Sequence, residues 1–263
     1  MLKNTSRPHI TRGRALSITA VAVVIVYLLW NVPALSPLAY PFRLFVTYIH
    51  EAGHALAALA TGGRVIGFSV SADGSGLATT AGGARAVILP AGYLGAALFG
   101  ALLFYVVNTK PYARTISIVL GVALVIFTVL YARPDSSGVP VALFIGLLVG
   151  GGLIALGWKV NGDINLLVLN VLAVMTALNA VMDVTRLIRN SDVMMMTRNG
   201  IVRNDAAAFS QEVASWVPPS IWALLWAAIA IAMTGASVYY SILRPWLTER
   251  RQGAPARSQR NLT

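Results

Sequence analysis

The sequence contains no cysteine, which removes disulfides, iron–sulfur clusters and Cys-ligated zinc together. Any metal must therefore be held by His, Asp, Glu or backbone carbonyls. Charge is also scarce: 11% of the residues are Asp, Glu, Lys or Arg, against roughly 25% in an ordinary soluble domain. Hydrophobic residues make up 57% of the chain and the mean hydropathy is +0.72, so a water-soluble globule is excluded. Acidic residues number 9 and histidines 3 in 263 residues, few enough to weigh one by one. There is no internal repeat and no low-complexity tract.

What the chain has instead is apolar runs. Seven stretches are apolar enough, and at roughly 20 residues long enough, to cross a hydrocarbon core as helices. They lie near 15–35, 38–61, 86–107, 113–132, 139–157, 164–188 and 218–243. The expected fold is an all-α polytopic membrane protein of about seven transmembrane helices. A single domain over 15–245 would follow a basic tail at 1–14 and precede a basic, disordered tail at 246–263. Lys3, Arg7, Arg12 and Arg14 before the run from Ala15 to Trp30 have the outline of a signal peptide. The run is long and no small-x-small cleavage site follows, so a retained first helix is expected.

The net charge of +11 comes from Lys and Arg scattered between the spans rather than gathered into a stripe with interleaved aromatics. That pattern fits topology signals and lipid headgroups, not nucleic acid. A small excess of Lys and Arg on the N-terminal side favours an N-terminus inside.

Two segments break the apolar pattern. Residues 62–83, GGRVIGFSVSADGSGLATTAGG, alternate apolar with small or polar residues around an Asp73-Gly74 turn signal, which predicts a β-hairpin. An open sheet edge cannot face lipid, so the hairpin must lie at the interface or within the protein. The second is the polar stretch from Arg189 to Trp216. There Asn204 or Asp205 is placed to cap a short helix, before Pro218-Pro219 opens the last span. Trp216, Trp222 and Trp226 mark the water–lipid boundary.

Two of the three histidines fall in HEAGH, His50-Glu51-Ala52-Gly53-His54, inside an apolar span. Positions i and i+4 share a helix face, so both imidazoles can reach one metal while Glu51 stands beside it to handle a proton. A chance match in a structural helix is the alternative, but polar groups within a span are costly and imply a function. His9 sits in the basic tail as a solvated bystander.

A zinc hydrolase needs a third protein ligand and one open position. Of the acidic residues only Glu51 and Asp183 lie within apolar spans, which makes Asp183 the leading candidate. At a rise of about 1.5 Å per residue, His54 lies about 12 Å from the Gly62 end of its helix and Asp183 about 9 Å from the Arg189 end of its own. The two meet if the helices run parallel, as three intervening spans require. Zn²⁺ with one Asp ligand and ionised Glu51 is also neutral in sum. The alternative for Asp183 is an ion pair with Arg186 at i+3. Asn179, one turn earlier on the same face, is placed to hold a substrate carbonyl or oxyanion, with helix packing as its alternative.

Four stretches now carry a resemblance: YIHEAGHALAALATGGRV (Tyr48 to Val65), DGSG (Asp73 to Gly76), PAGYLGAALFGALL (Pro90 to Leu103) and NAVMDVTRLIR (Asn179 to Arg189). Together they resemble the site-2-type intramembrane metallopeptidases, and more closely their compact bacterial M50B-like branch, over about residues 45–230. The resemblance implies one Zn²⁺ per chain on His50, His54 and a distal Asp matching Asp183, Glu51 as catalytic base, and a hairpin that helps hold an unwound substrate. It also implies a transmembrane protein substrate and a place in a bacterial cytoplasmic membrane. The wider family commonly has Asn-Pro and Asp-Gly at the distal motif, where this chain has Asp183-Val184. The rival class is a metal-binding membrane transporter or a catalytically silent scaffold. A transporter usually spreads polar sites along a path, whereas here they concentrate at one place.

Overall fold

A computed structural model describes residues 12–189, 195–197, 200–202 and 204–252; side chains at 12, 15, 180–203 and from 249 onward lie outside the described set. Helix α1 (Arg12–Asn31) leads through a 3-10 turn at Pro33–Leu35 into α2 (Ser36–Ala60). A hairpin follows, β1 (Arg64–Val70) and β2 (Gly76–Ala81), then a single turn α3 (Arg85–Ile88) and the helices α4 (Ala91–Thr109), α5 (Ala113–Tyr131), α6 (Val141–Lys159) and α7 (Gly162–Arg189). Short strands β3 (Met195–Thr197) and β4 (Gly200–Val202) precede α8 (Asp205–Glu212) and α9 (Pro219–Val238). A π turn at Tyr239–Leu243 joins α9 to α10 (Arg244–Gln252), so helix continues into the segment expected as a disordered tail.

Five of these helices are each long and apolar enough to cross a membrane: Ala91–Thr109, Ala113–Tyr131, Val141–Lys159, Gly162–Asn179 and Pro219–Thr248. A sixth candidate is the pair Leu16–Asn31 and Pro33–Ala60, bent by 99° at its break. The protein is thus a mostly helical integral membrane protein with five or six candidate spans among the described residues. The expectation of about seven counted 15–35 and 38–61 as separate crossings; the structure joins them as one bent pair. The cause is local. Val32 is extended (φ −103°, ψ 107°) ahead of Pro33, the conformation that a following proline imposes, so α1 ends there; Pro37 falls in the first turn of α2, where proline is tolerated. The outer surface is apolar: Val119, Val129, Phe144 and Leu148 are each more than 60% exposed, which suits lipid and not water.

Small residues let the helices approach closely. Gly100 of α4 lies against Ala173 and Ala177 of α7, and Gly121 of α5 against Gly150 of α6. Polar glue accompanies them: Thr19 donates to Asn108 Oδ1 at 3.0 Å, and Asn108 donates to Asn170 Oδ1 at 2.8 Å, linking α1, α4 and α7. Arg14 and Asp163 form an ion pair between the starts of α1 and α7.

The hairpin forms as the sequence predicts and packs against α2, with Gly67–Val70 of β1 buried. Helix α2 ends in a Schellman motif, with Gly62 at φ 80°, Gly63 N–H donating to the Ala58 carbonyl at 2.8 Å and Gly62 N–H to that of Leu59 at 3.3 Å. That reverses the chain after Thr61. β1 and β2 pair antiparallel from Arg64 opposite Ala81 to Val70 opposite Gly76, with a bulge between Val65 and Gly67. The tip is fastened to α2: Thr47 donates to the Gly74 carbonyl at 2.9 Å and Tyr40 to that of Ala72 at 2.7 Å. On the far side β1 is covered, since Arg133 N–H donates to the Phe68 carbonyl at 2.9 Å. The β2 edge is thereby left facing α2.

Candidate metal centre

His50, Glu51 and His54 lie in the second half of α2. Helical spacing puts both imidazoles on one face, and that face turns toward the first residues of α4. Gly53 makes the approach possible, because a Cβ there would collide with the Ala91 carbonyl. Gly92 has the same role one residue on: a Cβ would fall between the rings, 2.5 Å from His54 Nε2 and nearer still to His50 Nε2. The tautomer of His54 is fixed, since its Nδ1–H donates to the Ile88 carbonyl at 2.7 Å, leaving the Nε2 lone pair to face inward. The Tyr93 ring packs edge-to-face on His50, with centroids 4.6 Å apart.

The third group is Asp205, the first residue of α8. Its Oδ2 stands 3.1 Å from His50 Nε2 and 3.3 Å from His54 Nε2, and the two Nε2 atoms are 3.1 Å apart. Asp205 reaches this position through its cap. Asn204 Oδ1 accepts from Ala207 N–H at 2.8 Å, and the small side chains Ala206 and Ala208 are buried, while Phe209 packs edge-on against Trp222 and Trp226 of α9.

This donor set fits a metal. Two ligand atoms each about 2.0–2.1 Å from a tetrahedral zinc stand about 3.3 Å apart, and the three separations here are 3.1, 3.1 and 3.3 Å. Two imidazole nitrogens and a carboxylate oxygen are also the ligand types that Zn²⁺ takes in catalytic sites. Two facing Nε2 atoms at 3.1 Å need a cation or a proton between them.

A family model for Peptidase M50B-like proteins matches residues 18–237. The chain belongs to the Peptidase M50B-like family. No curated protein and no solved structure matches it. Membership places this M50B-like protein among the membrane metallopeptidases, which are zinc-dependent in general.

Of the residues singled out in the sequence, the structure brings His50 and His54 together and buries Glu51, 6% exposed, beside them. Gly76 of β2 lies against Glu51, so that a Cβ there would be 2.5 Å from Oε1, and the Ala78 backbone amide faces the carboxylate. Asn179 is half-buried in α7. Asp183 falls within the helical backbone of α7, but its side chain lies outside the described residues, as does that of Arg186. Asp205 stands in the sequence only as an alternative to Asn204 for capping the short helix.

Proposed function

We propose that this M50B-like protein is a zinc-dependent intramembrane endopeptidase that hydrolyses peptide bonds of membrane-embedded proteins. The observation that carries the reading is the triangle of His50, His54 and Asp205 with a buried glutamate next to it, set against the edge of a hairpin. His50 and His54 hold one Zn²⁺ per chain, with a carboxylate as third ligand. Geometry favours Asp205 for that place. Asp183 is the candidate that the sequence and the resemblance both favour, and zinc occupancy of single variants decides between them.

When bound, Zn²⁺ supplies a Lewis acid that polarises the scissile carbonyl and acidifies a water nucleophile. Glu51 accepts the proton that the attacking water loses and passes it to the leaving amide nitrogen, so a C–O bond forms as the C–N bond breaks. Asn179 assists at the scissile carbonyl. A helical substrate hides its carbonyls in hydrogen bonds, so it must be unwound locally. The β2 edge beside Glu51 offers backbone partners to the extended segment, which satisfies its freed amides within the membrane.

The test is Glu51→Gln, measured side by side with the native protein for zinc content and for cleavage of single-span substrates. Retained zinc with lost cleavage is expected. Equal cleavage by both proteins refutes the base assignment, and no cleavage by the native protein across a broad panel favours a metal transporter or silent scaffold. In the same experiment Asp205→Ala should lose most of its zinc; full occupancy there, with loss in Asp183→Ala, would move the third ligand to α7.

A further inference from the structure

The single turn α3 touches the centre from two sides. At its end the Ile88 carbonyl accepts from His54. At its start Arg85 makes a bidentate pair with Glu212, Nε to Oε2 at 2.7 Å and Nη2 to Oε1 at 3.1 Å. Glu212 closes α8 and Asp205 opens it. A helix of this length is a rod of about 10 Å, so holding one end against α3 sets the direction in which the other projects its carboxylate. The planar, two-bond geometry gives the tether direction as well as strength. Glu212 raises the pKa of the Arg85 guanidinium further above its ordinary value.

We propose that Arg85 and Glu212 form a positioning latch that clips α8 to α3 and so keeps Asp205 at ligand distance from His50 and His54. The latch rests on the reading of Asp205 as a metal ligand. Neither Arg85 nor Glu212 touches the reacting atoms. Both act through Asp205, and the turn that carries Arg85 also orients His54. Metal affinity therefore depends on a pair at the protein surface, 46% and 39% exposed. Such a pair is worth at most a modest factor, about fivefold in an equilibrium constant.

Zinc affinity of the full-length protein in detergent, by competition with a chromophoric chelator, tests the latch. Arg85→Ala and Glu212→Ala are each expected to weaken affinity about three- to fivefold, and the double variant no further. The exchanged pair, Arg85→Glu with Glu212→Arg, should recover most of the loss. Raising NaCl from about 0.05 to about 0.5 M should weaken zinc binding by the native protein more than by the double variant, because an exposed pair is screened. Lys110→Ala serves as a control for removing a surface cation and should leave affinity unchanged. A merely structural role would lower the unfolding midpoint and leave zinc affinity as it is, and that result overturns the latch. If Asp205→Ala loses zinc while Arg85→Ala and Glu212→Ala bind it as the native protein does, the latch is wrong and the ligand stands. If Asp205→Ala also binds as the native protein does, the ligand assignment fails and the latch with it.

Discussion

Replacing Gly92 with alanine perturbs the metal centre without removing any ligand. The added Cβ would lie 2.5 Å from His54 Nε2 and from His50 Cε1, and closer to His50 Nε2, against about 3.5–4.0 Å for an unstrained carbon contact. Something must move by about 1 Å. The α4 backbone is held by its packing against α2, so the rings must give way. His54 can turn only by giving up its bond to the Ile88 carbonyl, and His50 only by leaving the edge of Tyr93. A ligand site tolerates distance errors of about 0.2 Å, so a shift of this size breaks at least one metal bond. Loss of a single supporting bond in a metal site costs about 10–100-fold in affinity, and the larger figure is expected here. Overpacking costs about 1–3 kcal/mol, partly offset by about 0.5–1 kcal/mol from alanine in place of glycine in a helix, so the protein should fold. Zinc content and affinity are measured together with the unfolding midpoint in detergent. Gly152→Ala, which meets nothing within 4 Å, is the matched control. Native zinc affinity in Gly92→Ala would refute the placement of the metal between the two rings.

A larger residue beside the base should separate chemistry from metal binding: Gly76→Val puts a Cβ 2.5 Å from Glu51 Oε1, and is expected to retain zinc while losing cleavage. Cleavage at the native rate would show that β2 does not confine Glu51. Asn108→Leu removes the link between Thr19 and Asn170 and should destabilise the bundle by about 1–2 kcal/mol, read by denaturant titration in mixed micelles, with zinc affinity unchanged. Chelation should lower the unfolding midpoint reversibly, since zinc at about 100 times its Kd stabilises the folded state by about 2.7 kcal/mol. Asp205→Ala should show a much smaller drop, and an equal one would count against Asp205 as a ligand.

Several features were legible in the sequence because their causes are local. The scarcity of charge and the apolar runs determine a helical membrane protein. The spacing of His50 and His54 on one helix determines a shared face. The Asp73-Gly74 turn between alternating strands determines a hairpin, and Asn204 and Pro219 start α8 and α9 where their capping chemistry places them. The prolines from Pro33 to Pro41 were visible too, but whether they separate two crossings or bend one pair depends on how the two helices pack. The partner of the histidines was decided by tertiary structure alone. Asp205 lies 155 residues from His50 in a polar segment, and its place at the start of a short helix was already explained by capping. Nothing was left over to suggest a second role. In the sequence, acids within apolar spans stand out as candidate ligands, because a polar segment is expected to stay at the interface. Only packing of the alanines and Phe209 of α8 against α4 and α9, with Arg85 holding Glu212, carries that segment over the ends of two imidazoles. The alanines after Asp205 were the one sequence signal, since small residues allow a polar helix to be drawn against the bundle. Which carboxylate stands beside the two imidazoles depends on distances that chain separation does not encode.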